Sequence, residues 1–241
     1  MIEVKHLRKT FGAVCAVRDV SFSALDGQIT GLLGENGAGK TTTLSIICGL
    51  MESDEGTVRV GAENGAPIER RRQIGALLDD KGLYGRLTTR ENIEYFGRLH
   101  GLASSALAIR VDAILSEFGL EQIADRRTAG FSQGERMKVA LGRALVHSPA
   151  HVLLDEPTNG LDITSVHALR DLLRRLRAQG VCVVLSSHVL DDIRVLCDQI
   201  IIMSRGCVVA AGSEASLCQQ ARCTTLEDAF FALTSRCELL A

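Results

Sequence analysis

Short apolar runs alternate along the chain with longer segments whose apolar residues recur about every three or four positions. The runs predict strands, because a strand buried on both faces appears as a short continuous apolar stretch. The predicted strands are Ile2–Leu7, Gln28–Leu33, Thr57–Val60, Gln73–Leu78, Val152–Asp155, Val181–Leu185 and Gln199–Met203. Strands that alternate with helices indicate an α/β fold, in which helices cover a mainly parallel sheet.

The pattern changes between about Thr88 and Val146, where helical segments follow one another and no run is typical of a strand. The segment from Thr88 to Glu91 has the composition of a capping box, and apolar residues at helical spacing follow it. We therefore predict one domain over residues 1–241. It has a core of about 1–85 and 150–212, an inserted helical subdomain of about 86–149 and a C-terminal tail of 213–241.

Charge and hydropathy exclude several classes of protein. The 27 basic and 29 acidic residues give a net charge of -2, so no global field favours nucleic acid or an anionic membrane surface. No apolar stretch approaches the roughly 20 residues of a membrane span, and the N-terminus lacks a signal-peptide core. We expect a cytoplasmic protein.

The eight cysteines are scattered and form no Cys-x2-Cys pair. In a reducing compartment such cysteines are mostly small buried apolar side chains. Cys218, Cys223 and Cys237 are close enough in sequence to suggest a metal or redox site, but no neighbouring histidine completes it. We favour the buried interpretation.

A glycine-rich segment follows the second predicted strand and precedes a helical stretch. Its glycines let successive backbone N–H groups turn towards phosphate oxygens at the positive end of that helix. Lys40 adds a charge for the outer phosphates, and the Thr41 hydroxyl is placed to ligate Mg²⁺. The alternative is a turn that only caps a helix. The predicted phosphate-binding residues are Gly34, Glu35, Asn36, Gly37, Ala38, Gly39, Lys40, Thr41 and Thr42.

Two carboxylates, Asp155 and Glu156, end a later apolar strand. Ligands gather at the carboxyl ends of parallel strands, so Asp155 is predicted to bind Mg²⁺, directly or through water, and Glu156 to polarise the attacking water. His188 follows the next strand and is predicted to contact the terminal phosphate or the water. The alternatives are an acidic N-cap before Pro157 and an ordinary loop histidine.

A serine and a glycine open the helix that begins in Phe131-Ser132-Gln133-Gly134-Glu135. The hydroxyl and the free N–H groups of such a helix N-terminus form a possible second anion site. Helix capping alone is the alternative. A second phosphate site on a chain that already has a phosphate loop raises the question of whose phosphate it binds.

In this order, the motifs resemble those of the ATP-binding subunits of ABC transporters, over about residues 1–212. The resemblance rests on the phosphate loop, the segment Phe131–Glu135, the acidic pair, Gly160-Leu161-Asp162 and His188. It implies a P-loop NTPase core with a mainly parallel sheet, an N-terminal antiparallel β portion and an inserted helical subdomain.

The resemblance also implies that two chains pair head to tail as a homodimer, with ATP between the phosphate loop of one chain and the segment Phe131–Glu135 of the other. Ser132, Gln133, Gly134 and Asp162 would then act in trans. Phe11 occupies the position of an aromatic residue that stacks on adenine. Core packing is the alternative for Phe11.

One position departs from the family pattern. The family usually carries a glutamine where this chain has Asp79. An aspartate can ligate Mg²⁺, but it is shorter than glutamine and adds negative charge near the phosphates and Glu156. We therefore treat Asp79 as a candidate metal ligand.

The segments Gly82–Ile93 and Thr225–Phe230 resemble the subgroup of sodium-export and multidrug-export ATPase subunits. This resemblance implies an ATPase that uses ATP and Mg²⁺ to drive export through a separate membrane permease, docked on about residues 79–102 at the inner face of the membrane. No nucleic-acid partner is expected. Two alternatives are a soluble ABC-type ATPase of DNA repair or translation and a regulatory subunit that barely hydrolyses ATP.

Overall fold

The computed structural model describes residues 1–61, 67–78 and 82–238. Its strands are β1 (Ile2–Phe11), β2 (Val14–Ala24), β3 (Ile29–Leu33), β4 (Glu55–Val60), β5 (Ile74–Leu77), β6 (His151–Asp155), β7 (Cys182–Ser187), β8 (Gln199–Ser204) and β9 (Cys207–Gly212). Its helices are α1 (Lys40–Ile47), α2 (Pro67–Gln73), α3 (Thr89–Leu99), α4 (Ser104–Glu117), α5 (Gln133–Leu145), α6 (Ile163–Ala178), α7 (Leu190–Leu196), α8 (Glu214–Ala221) and α9 (Leu226–Glu238).

The strands form one sheet in the order β4-β1-β2-β9-β8-β3-β7-β6-β5. The five strands from β8 to β5 run parallel to one another, whereas β1 is antiparallel to β2 and β4. β9 is antiparallel to β8 and joins β2 through the pair of Asp19 and Cys207. The predicted fold class, a mainly parallel sheet with an N-terminal antiparallel portion, is confirmed.

The central strands are buried on both faces, which explains their continuous apolar sequence. Successive residues of a strand point to opposite faces. Ile29 and Leu33 of β3 pack into the cluster that α5 to α9 cover, while Leu32 packs into the cluster that contains α1. α1 therefore lies on one face of the sheet and starts directly beyond the end of β3.

The seven predicted strands are all present, with ends that shift by a few residues, but β2 and β9 were not predicted. β2 buries Val17, Val20, Phe22 and Ala24 and exposes polar residues between them, so it has no continuous apolar run. β9 is short, and only Ala210 in it is fully buried. Strands buried on one face are harder to find from apolar runs alone.

The helical region between β5 and β6 is built as its sequence indicates. Thr88 caps α3 with both hydrogen bonds of the capping box, to and from Glu91. α3, α4 and α5 share a separate apolar cluster that includes Ile93, Val111 and Val139. A cluster of its own is what a subdomain requires, although the boundaries at 86 and 149 stay a prediction.

Among the helices described, none combines the length and the apolar composition needed to cross a membrane.

Two histidines stack where α3 and α5 end. The rings of His100 and His147 lie 3.6 Å apart and are nearly parallel. Burial, together with the nearby His100 and Arg110, lowers the pKa of His147 to about 4. Burial also lowers the pKa of His100. The folded protein therefore favours the neutral form of both rings.

The stacked pair predicts a loss of stability in mild acid. A histidine whose pKa is lower in the folded protein binds fewer protons there, so stability is complete above its ordinary value of 6.5 and declines as the pH falls towards about 4. Between about pH 7.5 and 5, the His147→Gln variant should lose about 1–2 kcal/mol less unfolding free energy than the wild type. Urea titrations at each pH measure this, and parallel curves for the two proteins would contradict it.

Candidate active site

The phosphate loop lies between β3 and α1, as its sequence predicts. Gly39, with φ +96°, ends the loop next to the first helical residue. A Cβ on Gly39 would lie 2.6 Å from the Ala16 carbonyl oxygen, and one on Gly34 would lie 2.5 Å from that of Met203. Glycine is thus required at both positions, because the loop packs directly on neighbouring backbone. The first N–H groups of α1 lack acceptors within the helix and are available to an anion.

The other loop residues are placed in different ways. Glu35, Asn36 and Gly37 are exposed at the tip of the loop, whereas Ala38 is buried beneath it. Thr42 is half-buried in the first turn of α1. The exposed tip and the free helix end face the same edge of the sheet.

Lys40 is 5% exposed, and its ammonium group is held by three oxygens. Nζ donates to the Gly34 carbonyl at 2.6 Å and to the Glu35 carbonyl at 3.2 Å, and it lies 3.3 Å from Glu156 Oε1. A buried ammonium group is tolerated only when its donors are satisfied. The lysine is therefore held beneath the loop and in contact with Glu156 of the acidic pair.

Thr41 and Asp155 are joined across the site, because the Thr41 hydroxyl donates to Asp155 Oδ2 at 2.6 Å. A hydroxyl and a carboxylate beside a phosphate loop are the oxygen donors that Mg²⁺ takes in nucleotide sites, where waters and phosphates complete its coordination. The residues present therefore fit Mg²⁺. In the described part of the chain no three His, Cys, Asp or Glu side chains form a site that protein ligands alone would complete.

Glu156 has a left-handed backbone, with φ +46°, which is rare for a residue that is neither glycine, asparagine nor aspartate. Its carboxylate lies between two partners: Oε1 faces Lys40, and Oε2 is 2.8 Å from Nδ1 of His188. The His188 N–H also donates to Oε2, at 3.3 Å. Glu156 and His188 are thus brought together at the strand ends, as a carboxylate that can accept a proton and an imidazole that orients it.

Ser186 joins the acidic pair, and the sequence did not identify it as a site residue. Its hydroxyl accepts the Glu156 N–H at 3.0 Å and donates to Asp155 Oδ1. The signal is in the sheet register, since Asp155 of β6 lies opposite Ser186 of β7. Only a correct alignment of two strands distant in sequence would have found this contact.

Ser132, Gln133, Gly134 and Asp162 form a second group. Ser132 caps α5 and forms a capping box with Glu135, and Asp162 caps α6 through the Ser165 N–H at 2.8 Å.

The two caps of this group lie close together. A Cβ on Gly134 would be 2.5 Å from Ser165 Oγ and 3.7 Å from Asp162 Oδ2. Gln133 donates to the Asn159 carbonyl at 2.8 Å. The N–H and the hydroxyl of Ser165 lower the pKa of Asp162, which keeps this carboxylate charged.

The remaining predicted residues have mixed outcomes. Phe11 is 47% exposed at the end of β1, so core packing is wrong for this residue. Asp79 lies outside the described residues. Cys218 and Cys223 are free and half-buried, and Cys237 is beyond the described side chains.

Residues 17–159 match the family model described as ABC transporter. The ABC transporter ATP-binding protein NatA of Bacillus subtilis is 41% identical over 220 residues, which cover 90% of this chain and 89% of that protein. The Nod factor export ATP-binding protein I of Bradyrhizobium diazoefficiens is 34% identical over 232 residues, or 94% of this chain and 75% of that protein.

Solved structures similar to this chain indicate the same family. An ATP-binding subunit of an ABC transporter superimposes with a TM-score of 0.88 at 32% identity, covering 97% of this chain and 99% of that one. A dimeric, post-hydrolysis ATP-binding cassette bound to ADP and Pi gives 0.80 at 27% identity, covering 88% and 98%. The predicted family is confirmed: the chain belongs to the ABC transporter family, among its ATP-binding proteins.

Proposed function

We propose that the chain hydrolyses ATP as a head-to-tail homodimer and drives export through a separate membrane permease. One observation carries the proposal: the Glu156 carboxylate lies between Lys40 and His188, beside the phosphate loop. The same edge of the sheet holds Thr41 and Asp155, a donor pair that fits Mg²⁺.

Nucleotide binding uses the residues around the loop. Phe11 offers an exposed ring for adenine, and the loop N–H groups hold the phosphates. Lys40 exchanges carbonyl contacts for oxygens of the outer phosphates. Thr41 and Asp155 would hold Mg²⁺, which would supply charge neutralisation on the phosphates.

Hydrolysis then needs one proton transfer at Glu156. A water oxygen attacks the terminal phosphorus, the bond from that phosphorus to the bridging oxygen breaks, and Glu156 takes the proton of the water. His188 keeps the carboxylate aimed through its contact with Oε2. The products are ADP and phosphate.

A second copy completes the site. Ser132 and Gly134 at the start of α5 offer a hydroxyl and free N–H groups for the terminal phosphate of the partner's ATP. Gln133 and Asp162 support this surface through the loop at 159–162. The dimeric cassette with ADP and Pi, at 27% identity, supports this arrangement.

The membrane partner would dock on the surface around Tyr84, Tyr95 and Leu99. These side chains are between 42% and 65% exposed, and the two tyrosine rings meet edge to face at 5.4 Å. Exposed aromatic and apolar side chains in one place are typical of an interaction site. Attachment of this surface to a permease would hold the protein at the cytoplasmic face of the membrane.

Export is favoured by the names of relatives, which include Nod factor export proteins.

Loss of the Lys40 charge should weaken ATP binding. The Lys40→Ala variant is expected to bind ATP about tenfold to a hundredfold more weakly, because a charged hydrogen bond contributes about 1.5–3 kcal/mol. Equilibrium binding of a fluorescent ATP analogue measures the change. Lys5→Ala, at an exposed position on β1, is the matched control and should bind as the wild type does. Equal ATP affinities for the Lys40 variant and the control would show that Lys40 does not contribute to ATP binding.

Glu156→Gln should separate binding from chemistry. The amide keeps the shape of the side chain but cannot take a proton, so we expect nearly unchanged ATP affinity and hydrolysis slower by about 10²–10⁴-fold. Single-turnover assays with labelled ATP measure the cleavage step. The exposed Glu52→Gln change serves as control. Normal cleavage in the Glu156 variant would exclude this carboxylate as the base.

The permease proposal is tested by co-purification from gently solubilised membranes. Tyr95→Asp should reduce recovery of the chain with a membrane protein, because it places a charge in the docking surface. Ile109→Asp, at a 73% exposed position on α4, is the matched control. Recovery of the wild-type chain only from the soluble fraction would contradict a permease partner.

A further inference from the structure

Ser186 links the two acidic residues that the proposed function uses. Its side chain is wholly buried at the end of β7, where it faces the end of β6. We propose that Ser186 is a positioning residue, which fixes both the Asp155 carboxylate and the backbone of Glu156 for ATP cleavage. The inference rests on the proposed function and adds a residue that neither the motifs nor the sequence pattern identified.

The hydroxyl group makes two different contacts. It has one proton to donate, which goes to Asp155 Oδ1, and it accepts the Glu156 N–H at 3.0 Å. Because the side chain is 0% exposed, water does not compete for either contact. The geometry of the acidic pair is thus coupled to a single oxygen atom.

For Asp155, the contact fixes one of the two carboxylate oxygens. Oδ1 accepts a hydrogen bond from Ser186, and Oδ2 accepts one from Thr41 at 2.6 Å. The two hydroxyls therefore hold the carboxylate at both oxygens and set its orientation in the Mg²⁺ site. Without Ser186 the carboxylate keeps the Thr41 contact but loses the one at Oδ1, so its orientation is less well fixed.

For Glu156, the contact supports an unfavourable backbone conformation. Its φ of +46° lies in the left-handed region, which non-glycine residues adopt only when their surroundings hold them there. The Ser186 oxygen holds the N–H of this residue. The same backbone places the carboxylate between Lys40 and His188, so loss of the hydroxyl should misplace the base.

The neighbouring hydroxyls of the sheet show that this role is specific. Ser187, the next residue, is equally buried, but its hydroxyl accepts the Val189 N–H at 2.9 Å and so shapes the turn at His188. Thr30 in β3 is also wholly buried, and its hydroxyl has no hydrogen-bond partner among the described residues. A buried hydroxyl in this sheet thus need not contact the acidic residues. Of these three hydroxyls, that of Ser186 contacts both Asp155 and Glu156.

The test compares variants of the full chain. Ser186→Ala removes both contacts, and Ser186→Thr keeps the hydroxyl. Ser186→Cys keeps a side chain of similar size, but its thiol forms only weak hydrogen bonds. Thr30→Val is the matched control, because it deletes a buried hydroxyl that has no hydrogen-bond partner in the described part of the chain. Single-turnover ATP cleavage, ATP affinity with and without Mg²⁺, and urea unfolding are measured for each variant.

We expect Ser186→Ala to slow cleavage by about tenfold to a hundredfold, the usual cost of losing a residue that orients a metal ligand. The Mg²⁺ concentration for half-maximal cleavage should rise, while ATP affinity without Mg²⁺ stays within about twofold of the wild type. Ser186→Thr should recover most of the rate, and Thr30→Val should keep it. If Ser186→Ala does not fold, slow cleavage by Ser186→Cys beside fast cleavage by Ser186→Thr supports the same role.

Three results would overturn the inference. Cleavage by Ser186→Ala within about twofold of the wild type would show that the acids do not depend on the hydroxyl. A fall in Mg²⁺-free ATP affinity that matches the fall in rate would indicate general disruption of the site. If the wild type cleaves ATP slowly and the Glu156→Gln variant cleaves it at the same rate, the proposed function is overturned, and the inference with it. If Glu156→Gln is slow and Ser186→Ala is fast, the function stands and only the role of Ser186 falls.

Discussion

The alignment of β3, β6 and β7 is the constraint on which the site depends. Asp155 lies opposite Ser186, and Leu33, the last residue before the phosphate loop, lies opposite Ser187. A shift of one residue in this register would turn every side chain of a strand to the other face. The phosphate loop, the acidic pair and His188 are far apart in sequence, and only this register brings them to one edge. The burial of the central strands on both faces fixes it.

The electrostatics of the edge follow from this placement. Lys40 is buried, so its charge requires partners, and Glu156 is one of them. In the proposed function, phosphate oxygens and Glu156 compete for the same ammonium group. Binding of ATP would then loosen the contact of Glu156 with Lys40, while His188 keeps hold of the other carboxylate oxygen. Substrate binding itself would thus release one of the two side-chain contacts that hold the Glu156 carboxylate.

The sequence predicts those features that one short segment determines. The phosphate loop and the cap at Thr88 depend on neighbouring residues, and both were found from their local pattern. β2 was missed because its apolar residues alternate with polar ones, and β9 because little of it is buried. Ser186 was missed for a different reason. Its role depends on pairing with a strand about thirty residues away, and nothing in its own neighbourhood indicates that pairing.

The two groups of site residues are connected through a short loop. The Asn159 N–H donates to the Glu156 carbonyl at 3.1 Å, and the Asn159 carbonyl accepts from Gln133. Gly160, the next residue, has a φ of +71°, in the left-handed region that favours glycine. The surface proposed to meet a second copy is therefore one hydrogen bond away from the loop that follows the proposed base. Since packed contacts of this kind resist gradual deformation, docking of a partner on α5 would bear directly on the position of Glu156. In the proposed function, this contact would couple the pairing of two chains to the cleavage of ATP through the position of Glu156.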